Sequence, residues 1–306
     1  MTIYFLFFDG VGLGINEPAI NPLVTAEMPF INGLIGSKLV AGVAPFSSPK
    51  VAVHSLDTTL GIGGFPQSAT GQAVLITGVN VPEKIGYHYG PKPDPSTAAF
   101  LRSGGVFGEL VSAGKQVCYL NAYPQRYFDT IESGRRLYSS FPLAAVNGGV
   151  RLLTVDDLRS GFAVSADITG EGWPIHLGID DIPIMVPYSV GKKIVENAKS
   201  AHPRVDLAFF EYWATDYAGH KQDMLSAIKI LGEIDAMIAG IADTMQDEDL
   251  ILVTSDHGNI EDLAVRGHTS KPVPLILVGS QQARQPFMQA SDLSHVVPGI
   301  RASLGV

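Results

Sequence analysis

The sequence predicts an α/β protein, and three observations support this prediction. Short apolar runs typical of buried strands, such as Ile3–Phe8 and Leu250–Val253, end directly in polar or glycine-rich segments. Amphipathic helix patterns, of which Ser226–Met245 is the strongest, separate these runs. The chain has 306 residues with 33 glycines and 20 prolines, which fits one large, loop-rich core or such a core with a smaller insertion.

Composition and charge exclude several classes of protein. The net charge of −9 and the lack of a basic run argue against an extended nucleic-acid surface. The apolar runs are much shorter than a membrane span, and Asp9 interrupts the first run too early for a signal peptide. The single cysteine, Cys118, cannot form an internal disulfide and suits a reducing compartment. We therefore expect a cytoplasmic protein with no membrane or nucleic-acid partner, and the sequence leaves its oligomeric state open.

The chain begins with a predicted strand, Ile3–Phe8, which ends at Asp9 and a glycine-rich turn. Ligands of open α/β sheets bind at the carboxyl ends of the strands, so the Asp9 carboxylate lies where a ligand is expected. A dinucleotide-binding loop is a poor alternative, because the glycines at 10, 12 and 14 form G-x-G-x-G and not G-x-G-x-x-G. Asp9 would also repel a pyrophosphate.

A short helix, Pro29–Ile35, and a strand, Val51–Leu56, come next. A loop rich in glycine and proline follows them, and residues 71–77 can then begin a helix. Ser68 and Thr70 thus lie at or just before a helix N-terminus, where free N–H groups and the helix dipole favour an anion. Either hydroxyl could cap the helix or act as a nucleophile, and the local pattern fits both roles.

The middle of the chain, residues 86–187, is less regular. A helix over Ser96–Ala113 and a strand over Gln116–Leu120 are predicted, and a polar segment with glycine breaks follows. We interpret this region as a small inserted cap between two core segments, residues 1–85 and 188–306. The boundaries are open, so part of the region can belong to the core.

The regular pattern returns with a helix over Val190–Ala201 and a strand over Val205–Trp213, and Leu293–Leu304 is predicted as the last helix. Directly after the strand, Asp216 and His220 are four residues apart. On one helical turn these two side chains would face the same way, so they could share a cation.

Two predicted strands, Leu250–Val253 and Val273–Val278, flank the most informative segment. Asp256 and His257 follow the first strand, and His268 comes eleven residues after His257. A carboxylate and an imidazole at the end of an apolar strand are typical of a site for a hard or borderline cation. The alternative is a helix-capping aspartate with an incidental histidine. Prolines around the start of the second strand predict an edge strand or an irregular strand start.

These segments together resemble the signature of the alkaline phosphatase superfamily. In chain order the matching features are Asp9, a Ser/Thr loop, Asp216-x-x-x-His220, Asp256-His257 and His268-Thr269. Thr254-Ser-Asp-His-Gly-Asn259 is especially similar to cofactor-independent phosphoglycerate mutase and phosphopentomutase. The resemblance covers about residues 1–80 and 190–306. It implies a three-layer α/β/α sandwich with a mostly parallel central sheet and a small inserted cap.

The resemblance also implies two divalent metal ions, Mn²⁺ or Zn²⁺, and the mutases favour manganese. One ion would be held by Asp216, His220 and His268. The other would be held by four groups: Asp9, Asp256, His257 and the nucleophile hydroxyl. In the mutases the nucleophile lies three residues before a glycine, which gives Ser68 here, with Thr70 as the runner-up. The family usually has a histidine after that glycine, whereas this chain has Gln72.

The activity implied by the resemblance is phosphoryl transfer from a small phosphate ester through a phosphoserine intermediate. A phosphatase is slightly preferred, because the inserted region is short and no substrate-binding residues of the mutases can be identified in it. The alternatives are a phosphomutase of the phosphoglycerate or phosphopentose type, then a phosphodiesterase, then a non-catalytic metal-binding protein. A sulfatase does not fit, since the segment Ser68-Ala-Thr-Gly71 lacks the C/S-x-P-x-R setting. The expected partner is a small phosphorylated metabolite, with its substrate-binding residues unknown.

Overall fold

A computed structural model describes residues 1–306 of the chain. Eight strands form one central sheet: β1 (Ile3–Phe8), β2 (Phe46–Ser47), β3 (Val51–Leu56), β4 (Val117–Tyr123), β5 (Leu152–Thr154), β6 (Leu207–Tyr212), β7 (Leu250–Thr254) and β8 (Val273–Gly279). The order across the sheet is β2-β3-β8-β7-β1-β6-β4-β5. The five strands from β7 to β5 are parallel neighbours, and the remaining pairs are antiparallel. The predicted mostly parallel α/β sheet is confirmed.

Fourteen α-helices surround the sheet: α1 (Pro22–Thr25), α2 (Pro29–Ile35), α3 (Ser68–Thr77), α4 (Val81–Ile85), α5 (Pro95–Leu101), α6 (Gly105–Ser112), α7 (Gln125–Glu132), α8 (Ser140–Asn147), α9 (Val155–Arg159), α10 (Pro187–Ser200), α11 (Ala214–Lys221), α12 (Met224–Ala242), α13 (Gln281–Arg284) and α14 (Val296–Leu304). A π-helical turn lies at Trp173–Leu177, and 3₁₀ turns lie at Gln285–Phe287 and Leu293–His295.

The helices cover both faces of the sheet, as β1 illustrates. Alternate side chains of a strand point to opposite faces. Ile3, Phe5 and Phe7 pack with α3, α6, α8 and α14 in one core cluster, whereas Tyr4 and Leu6 pack with α2, α10 and α12 in another. All of these β1 side chains are buried, and each apolar side chain of this size contributes about 1.5–3 kcal/mol of burial free energy. The architecture is therefore the expected three-layer sandwich.

The position of β8 differs from the edge strand that the prolines predicted. The strand lies inside the sheet, where it pairs with β3 on one side and β7 on the other. Pro274 is tolerated because the pairing with β7 starts only at Ile276, so that the missing N–H of the proline interrupts no bond to β7. The predicted edge strand is wrong, and the irregular start that the sequence left open is consistent with this register.

The helix predicted over Ser96–Ala113 is two helices, α5 and α6. Gly104, which precedes α6, and Gly105, its first residue, have φ of 81° and 50°, in the left-handed region that interrupts a continuous right-handed helix. A Cβ at Gly105 would also collide with the carbonyl oxygen of Ile76 in α3. The break therefore lets the chain turn at a close contact with α3.

The region predicted as an inserted cap, residues 86–187, supplies two strands of the central sheet. Both β4 and β5 belong to it, and β4 pairs directly with β6. After β5, the chain forms a small cluster of its own around Trp173 and Ile182, which packs on Leu153. The division into a core and a cap stays a prediction, and the segment that follows β5 is the part of the region that lies outside the sheet.

No helix of the protein combines the length and the apolar character that crossing a bilayer requires.

Candidate metal centre and nucleophile

Three neighbouring parallel strands bring the predicted carboxylates together. In the register of the sheet, Phe8 of β1 lies beside Tyr212 of β6, and Phe7 lies beside Thr254 of β7. Asp9 follows β1 directly, whereas Asp216 and Asp256 follow the ends of β6 and β7. The three side chains therefore meet at the carboxyl edge of the sheet, where ligands of such sheets bind.

The first group of possible metal ligands consists of Asp216, His220 and His268, whose donor atoms lie within 4.8 Å of one another. Both Asp216 and His220 lie on α11, and the helical spacing places His220 Nε2 3.3 Å from Asp216 Oδ2. His268 reaches the pair from the loop before β8. Its Nε2 lies 3.2 Å from His220 Nε2 and 3.7 Å from Asp216 Oδ1.

The other ring nitrogens of these histidines are already bonded to the backbone. The Nδ1 of His220 lies 2.9 Å from the Arg266 carbonyl oxygen, and the Nδ1 of His268 lies 2.8 Å from the Pro66 carbonyl oxygen. Since a carbonyl only accepts, each Nδ1 carries the proton and each Nε2 keeps its lone pair. Metal-binding histidines are commonly oriented in this way.

The second group consists of Asp9, Asp256 and His257, again with donor atoms within 4.8 Å of one another. His257 Nε2 lies 3.3 Å from Asp9 Oδ1 and 3.7 Å from Asp256 Oδ2. The hydroxyl of Ser68 joins this group, because its Oγ lies 3.0 Å from His257 Nε2. The structure thus brings Ser68 and the three predicted residues into one buried cluster.

The two groups are adjacent. The rings of His257 and His268 stack with their centroids 3.8 Å apart and their planes inclined by 19°. The groups differ in exposure, since the side chain of His220 is 42% exposed and that of His257 is 0% exposed. The first group therefore faces the solvent and the second lies beneath it.

Helix α3 brings Ser68 to the second group. Ser68 is the first residue of the helix, and the preceding Gln67 forms no side-chain cap. Thr70 also does not cap the helix, because its hydroxyl bonds to the Gln67 and Tyr89 carbonyl oxygens at 3.1 and 3.3 Å. The free N–H groups at this end of α3 favour an anion beside Ser68.

Gly71 allows the close approach of α3 to the second group. A Cβ on Gly71 would lie 2.9 Å from the Cβ of Asp256 and 3.0 Å from its carbonyl oxygen. Any larger residue at position 71 would push α3, and Ser68 with it, away from Asp256. The glycine used to locate the nucleophile thus has a steric role in the site.

The second group carries an excess of negative charge. Burial and the neighbouring Asp256 raise the pKa of Asp9 well above its usual range, and burial also raises the pKa of Asp256. Burial alone would lower the pKa of His257, but Asp256 and Asp9 outweigh it and raise this pKa to about 10. Burial and the stacked His257 together lower the pKa of His268 to about 4. The His257 imidazole thus faces the carboxylates of Asp9 and Asp256, and neither carboxylate forms a salt bridge with a lysine or an arginine.

Sequence reasoning missed the side chains that hold the ligands in place. The Gln72 amide donates to Asp9 Oδ2 at 3.3 Å and to Asp256 Oδ2 at 3.2 Å, so it bridges the two carboxylates. Asn259 donates to the Asp216 carboxylate at 2.5 Å. Gln72 directly follows the loop glycine Gly71, so the sequence does place it near the nucleophile. Its hydrogen bonds to Asp9 and Asp256 cannot be read from the sequence, because these partners are distant along the chain.

The donor set fits divalent metal ions. The first group offers two imidazole lone pairs and a carboxylate, and the second offers two carboxylates, an imidazole and a hydroxyl. Asp9 Oδ1 is buried and accepts no hydrogen bond, and the cationic group beside it, His257, also faces Asp256. One imidazole for two buried carboxylates leaves negative charge uncompensated, which favours a cation here. Mixed nitrogen and oxygen donors of this kind suit Zn²⁺ or Mn²⁺.

The C-terminal part of the chain is similar to a known family. Residues 183–306 match the Metalloenzyme superfamily. The 2,3-bisphosphoglycerate-independent phosphoglycerate mutase of Pseudomonas syringae pv. tomato is 32% identical over 132 residues, which is 40% of this chain and 25% of that enzyme. The mutase of the same name from Rhodopirellula baltica is 27% identical over 135 residues, or 42% of this chain and 24% of that enzyme. The chain thus spans about a quarter of the length of these curated relatives.

Solved structures share the fold over the whole chain. The PH0037 protein from Pyrococcus horikoshii aligns with a TM-score of 0.57 at 15% identity, covering 99% of this chain and 96% of that one. Alkaline phosphatase from the Antarctic bacterium TAB5 gives 0.52 at 11% identity, covering 99% and 97%. Phosphoglycerate mutase from Leishmania mexicana gives 0.50 at 11% identity, covering 99% and 95%. These structures confirm the predicted fold, and the match of residues 183–306 together with the mutase relatives confirms the predicted resemblance.

Proposed function

We propose that the protein is a two-metal phosphoryl-transfer enzyme that uses Ser68 as its nucleophile, and the match of residues 183–306 to the Metalloenzyme superfamily supports this proposal. The observation that carries this proposal is the adjacency of two donor groups with a serine hydroxyl between a helix N-terminus and His257. Ser68 Oγ lies 3.0 Å from His257 Nε2, and His257 stacks on His268 of the other group. A serine next to two cation sites has the arrangement that phosphoryl transfer requires.

The side chains of the two groups have distinct roles in this proposal. One ion would be held by Asp216, His220 and His268. The other would be held by Asp9, Asp256, His257 and Ser68. When bound, the ions supply Lewis-acid stabilisation of the serine oxygen and of the phosphoryl charge. Manganese or zinc both fit, and metal analysis of the purified protein distinguishes them.

The protein itself positions the reactants. Gln72 donates to the Oδ2 atoms of Asp9 and Asp256, which leaves Asp9 Oδ1, 3.3 Å from His257 Nε2, without a hydrogen bond. The N-terminus of α3 orients free N–H groups towards a phosphoryl oxygen next to Ser68. Because Ser68 is buried and His220 is exposed, the ester approaches over the first group and places its phosphorus above the serine.

The chemical steps follow from this geometry. Ser68 Oγ forms a bond to phosphorus as the ester P–O bond breaks, and the leaving alcohol takes up the proton that the hydroxyl gives up. Water then cleaves the phosphoserine and releases inorganic phosphate, which makes the enzyme a phosphatase. The alternative is a phosphomutase, in which the phosphoryl group returns to another hydroxyl of the same molecule. The names of the curated relatives favour this alternative.

Substitution of the two candidate hydroxyls tests the proposal. Thr70 is the weaker nucleophile candidate, because backbone carbonyls already hold its hydroxyl. We expect Ser68→Ala to abolish turnover of phosphate monoesters and formation of the phosphoprotein while Mn²⁺ still binds, and Thr70→Ala to retain the phosphoprotein. A Ser68→Ala variant with full turnover of every ester tested would refute the covalent mechanism.

A substrate panel separates the reaction types. Mono-nitrophenyl and bis-nitrophenyl phosphate distinguish a monoesterase from a diesterase. Phosphorylated sugars, glycerates and nucleotides, assayed for both released phosphate and positional isomers, distinguish a phosphatase from a mutase. Isomer formation without phosphate release would reverse the preference for a phosphatase. Wild-type protein that binds divalent metal but turns over none of these esters would favour a non-catalytic metal-binding protein.

A further inference from the structure

Glu261 is a fully buried carboxylate that lies outside both groups of possible metal ligands. It is 0% exposed, and the nearby Lys271 pairs with Asp262 instead. A buried carboxylate is costly unless hydrogen-bond donors or a cation compensate its charge. The hydrogen bonds of Glu261 therefore show how its buried charge is compensated.

Three donors converge on Glu261, and each comes from a different loop of the site. Its Oε2 accepts from the Gly12 N–H at 3.0 Å and from the Asn259 N–H at 2.7 Å. Its Oε1 accepts from the hydroxyl of Thr269. Gly12 follows Asp9, Asn259 follows His257, and Thr269 follows His268. One carboxylate thus ties together the loops that carry ligands of both groups.

The packing around Glu261 requires glycine at several loop positions. A Cβ on Gly12 would lie 2.5 Å from the Glu261 carboxyl carbon, and a Cβ on Gly14 would lie 2.5 Å from its carbonyl oxygen. A Cβ on Gly258 would collide with Glu261 Oε1. The glycines of the turn after β1 therefore allow the turn to pack closely against Glu261. They have this role in place of the dinucleotide binding that was the poor alternative for this turn.

Backbone bonds complete the junction. The Ile260 N–H donates to the Gly10 carbonyl oxygen at 2.9 Å, and the Thr269 N–H donates to the Gly258 carbonyl oxygen at 2.9 Å. These bonds fix the same loops on either side of Glu261. The Glu261 carboxylate is the point at which all three loops meet.

We propose that Glu261 is a positioning residue that fixes the two metal-ligand groups in place relative to each other. This role rests on the proposed metal centre, since Glu261 acts through Asp9, His257 and His268. Residues that orient metal ligands typically affect metal affinity about 10- to 100-fold when they are replaced. Loss of Glu261 should therefore weaken binding at both groups, although it contacts none of the ligand side chains.

Calorimetric titration of the metal-free protein with Mn²⁺ tests the proposal without an activity assay. We expect Glu261→Ala to lower the affinity at both sites by about 10-fold or more. Glu261→Gln should recover most of this affinity, because its carbonyl can accept from both N–H groups while its amide donates to Thr269. If the alanine variant does not fold, Thr269→Val provides a milder test. It removes the bond between Glu261 and the His268 loop, together with a bond from the Lys271 N–H within that loop, and should weaken only the group that contains His268.

Asp235→Ala is the matched control. Asp235 is likewise a buried carboxylate, and it accepts from the Phe30 and Ile31 N–H groups at 2.9 and 2.8 Å, at the start of α2. Its loss should lower the melting temperature without changing Mn²⁺ affinity. Unchanged affinity in Glu261→Ala, or an equal loss in Asp235→Ala, would overturn the positioning role. Wild-type protein that binds neither Mn²⁺ nor Zn²⁺ would instead refute the metal centre, and the role of Glu261 with it.

Discussion

Replacing Gly71 by alanine tests how closely α3 approaches the candidate site. In a helix interior this change normally stabilises by about 1 kcal/mol, because alanine restricts the unfolded backbone. Here the new Cβ would lie 2.9 Å from the Asp256 Cβ and 3.0 Å from its carbonyl oxygen, and backbone atoms cannot move aside cheaply. Overpacking of a buried position costs about 1–3 kcal/mol. We therefore expect a net loss of about 0–2 kcal/mol in unfolding free energy.

The same helix displacement should weaken metal binding, because Ser68 and Asp256 move apart. Gly33→Ala in α2 is the control, since nothing lies within 4 Å of a Cβ there and the position is exposed. Urea unfolding of the metal-free variants should show Gly33→Ala stabilised by about 1 kcal/mol and Gly71→Ala less stable than it by about 1–3 kcal/mol. Mn²⁺ titration should show a loss of affinity in Gly71→Ala alone. If both variants are stabilised equally and bind metal as wild type does, the close packing of α3 on Asp256 is refuted.

Two further predictions concern single contacts. Gln72→Leu removes the amide that bridges Asp9 and Asp256, so we expect Mn²⁺ affinity to fall about 10- to 100-fold, and an unchanged titration would contradict this. Arg151 holds the pKa of Asp157 at about 2, below its usual 3.8, so the ionised carboxylate stabilises the fold above that usual value and loses this effect as the pH falls towards 2. The melting temperature of Asp157→Asn should therefore fall less between pH 5 and pH 2 than that of the wild type, and parallel curves would disprove the assignment.

The strand ends could be predicted from the sequence because they depend on local patterns. Ile3–Phe8 and Val51–Leu56 have the predicted bounds, and an aspartate directly follows each of them. Asp9 and Asp256 are one and two residues beyond their strands. Parallel strands in one sheet place such residues at a common edge, so their proximity follows from the fold class alone.

The strand order and the supporting contacts could not be predicted in the same way. The interior position of β8 depends on β3, a strand more than 200 residues earlier in the chain. The bonds from Gln72 to Asp256 and from Gly12 to Glu261 join positions 184 and 249 residues apart. Hydrophobic periodicity contains no information about such pairs, because it reports only which face of an element is buried.

The charge of the site explains why these supporting contacts are needed. Asp9 and Asp256 lie side by side in a buried cluster, and Asp216 is next to it, so the folded chain must hold like charges together. The Gln72 amide and the N–H groups of α3 reduce this repulsion, and the single positive charge of a protonated His257 does not balance three carboxylates. Divalent ions would neutralise it, and a ligand that binds only the folded state raises stability by about 2.7 kcal/mol at 100 times its Kd. The metal centre and the stability of the sheet edge are therefore linked, so changes that loosen the loops around Glu261 should affect both.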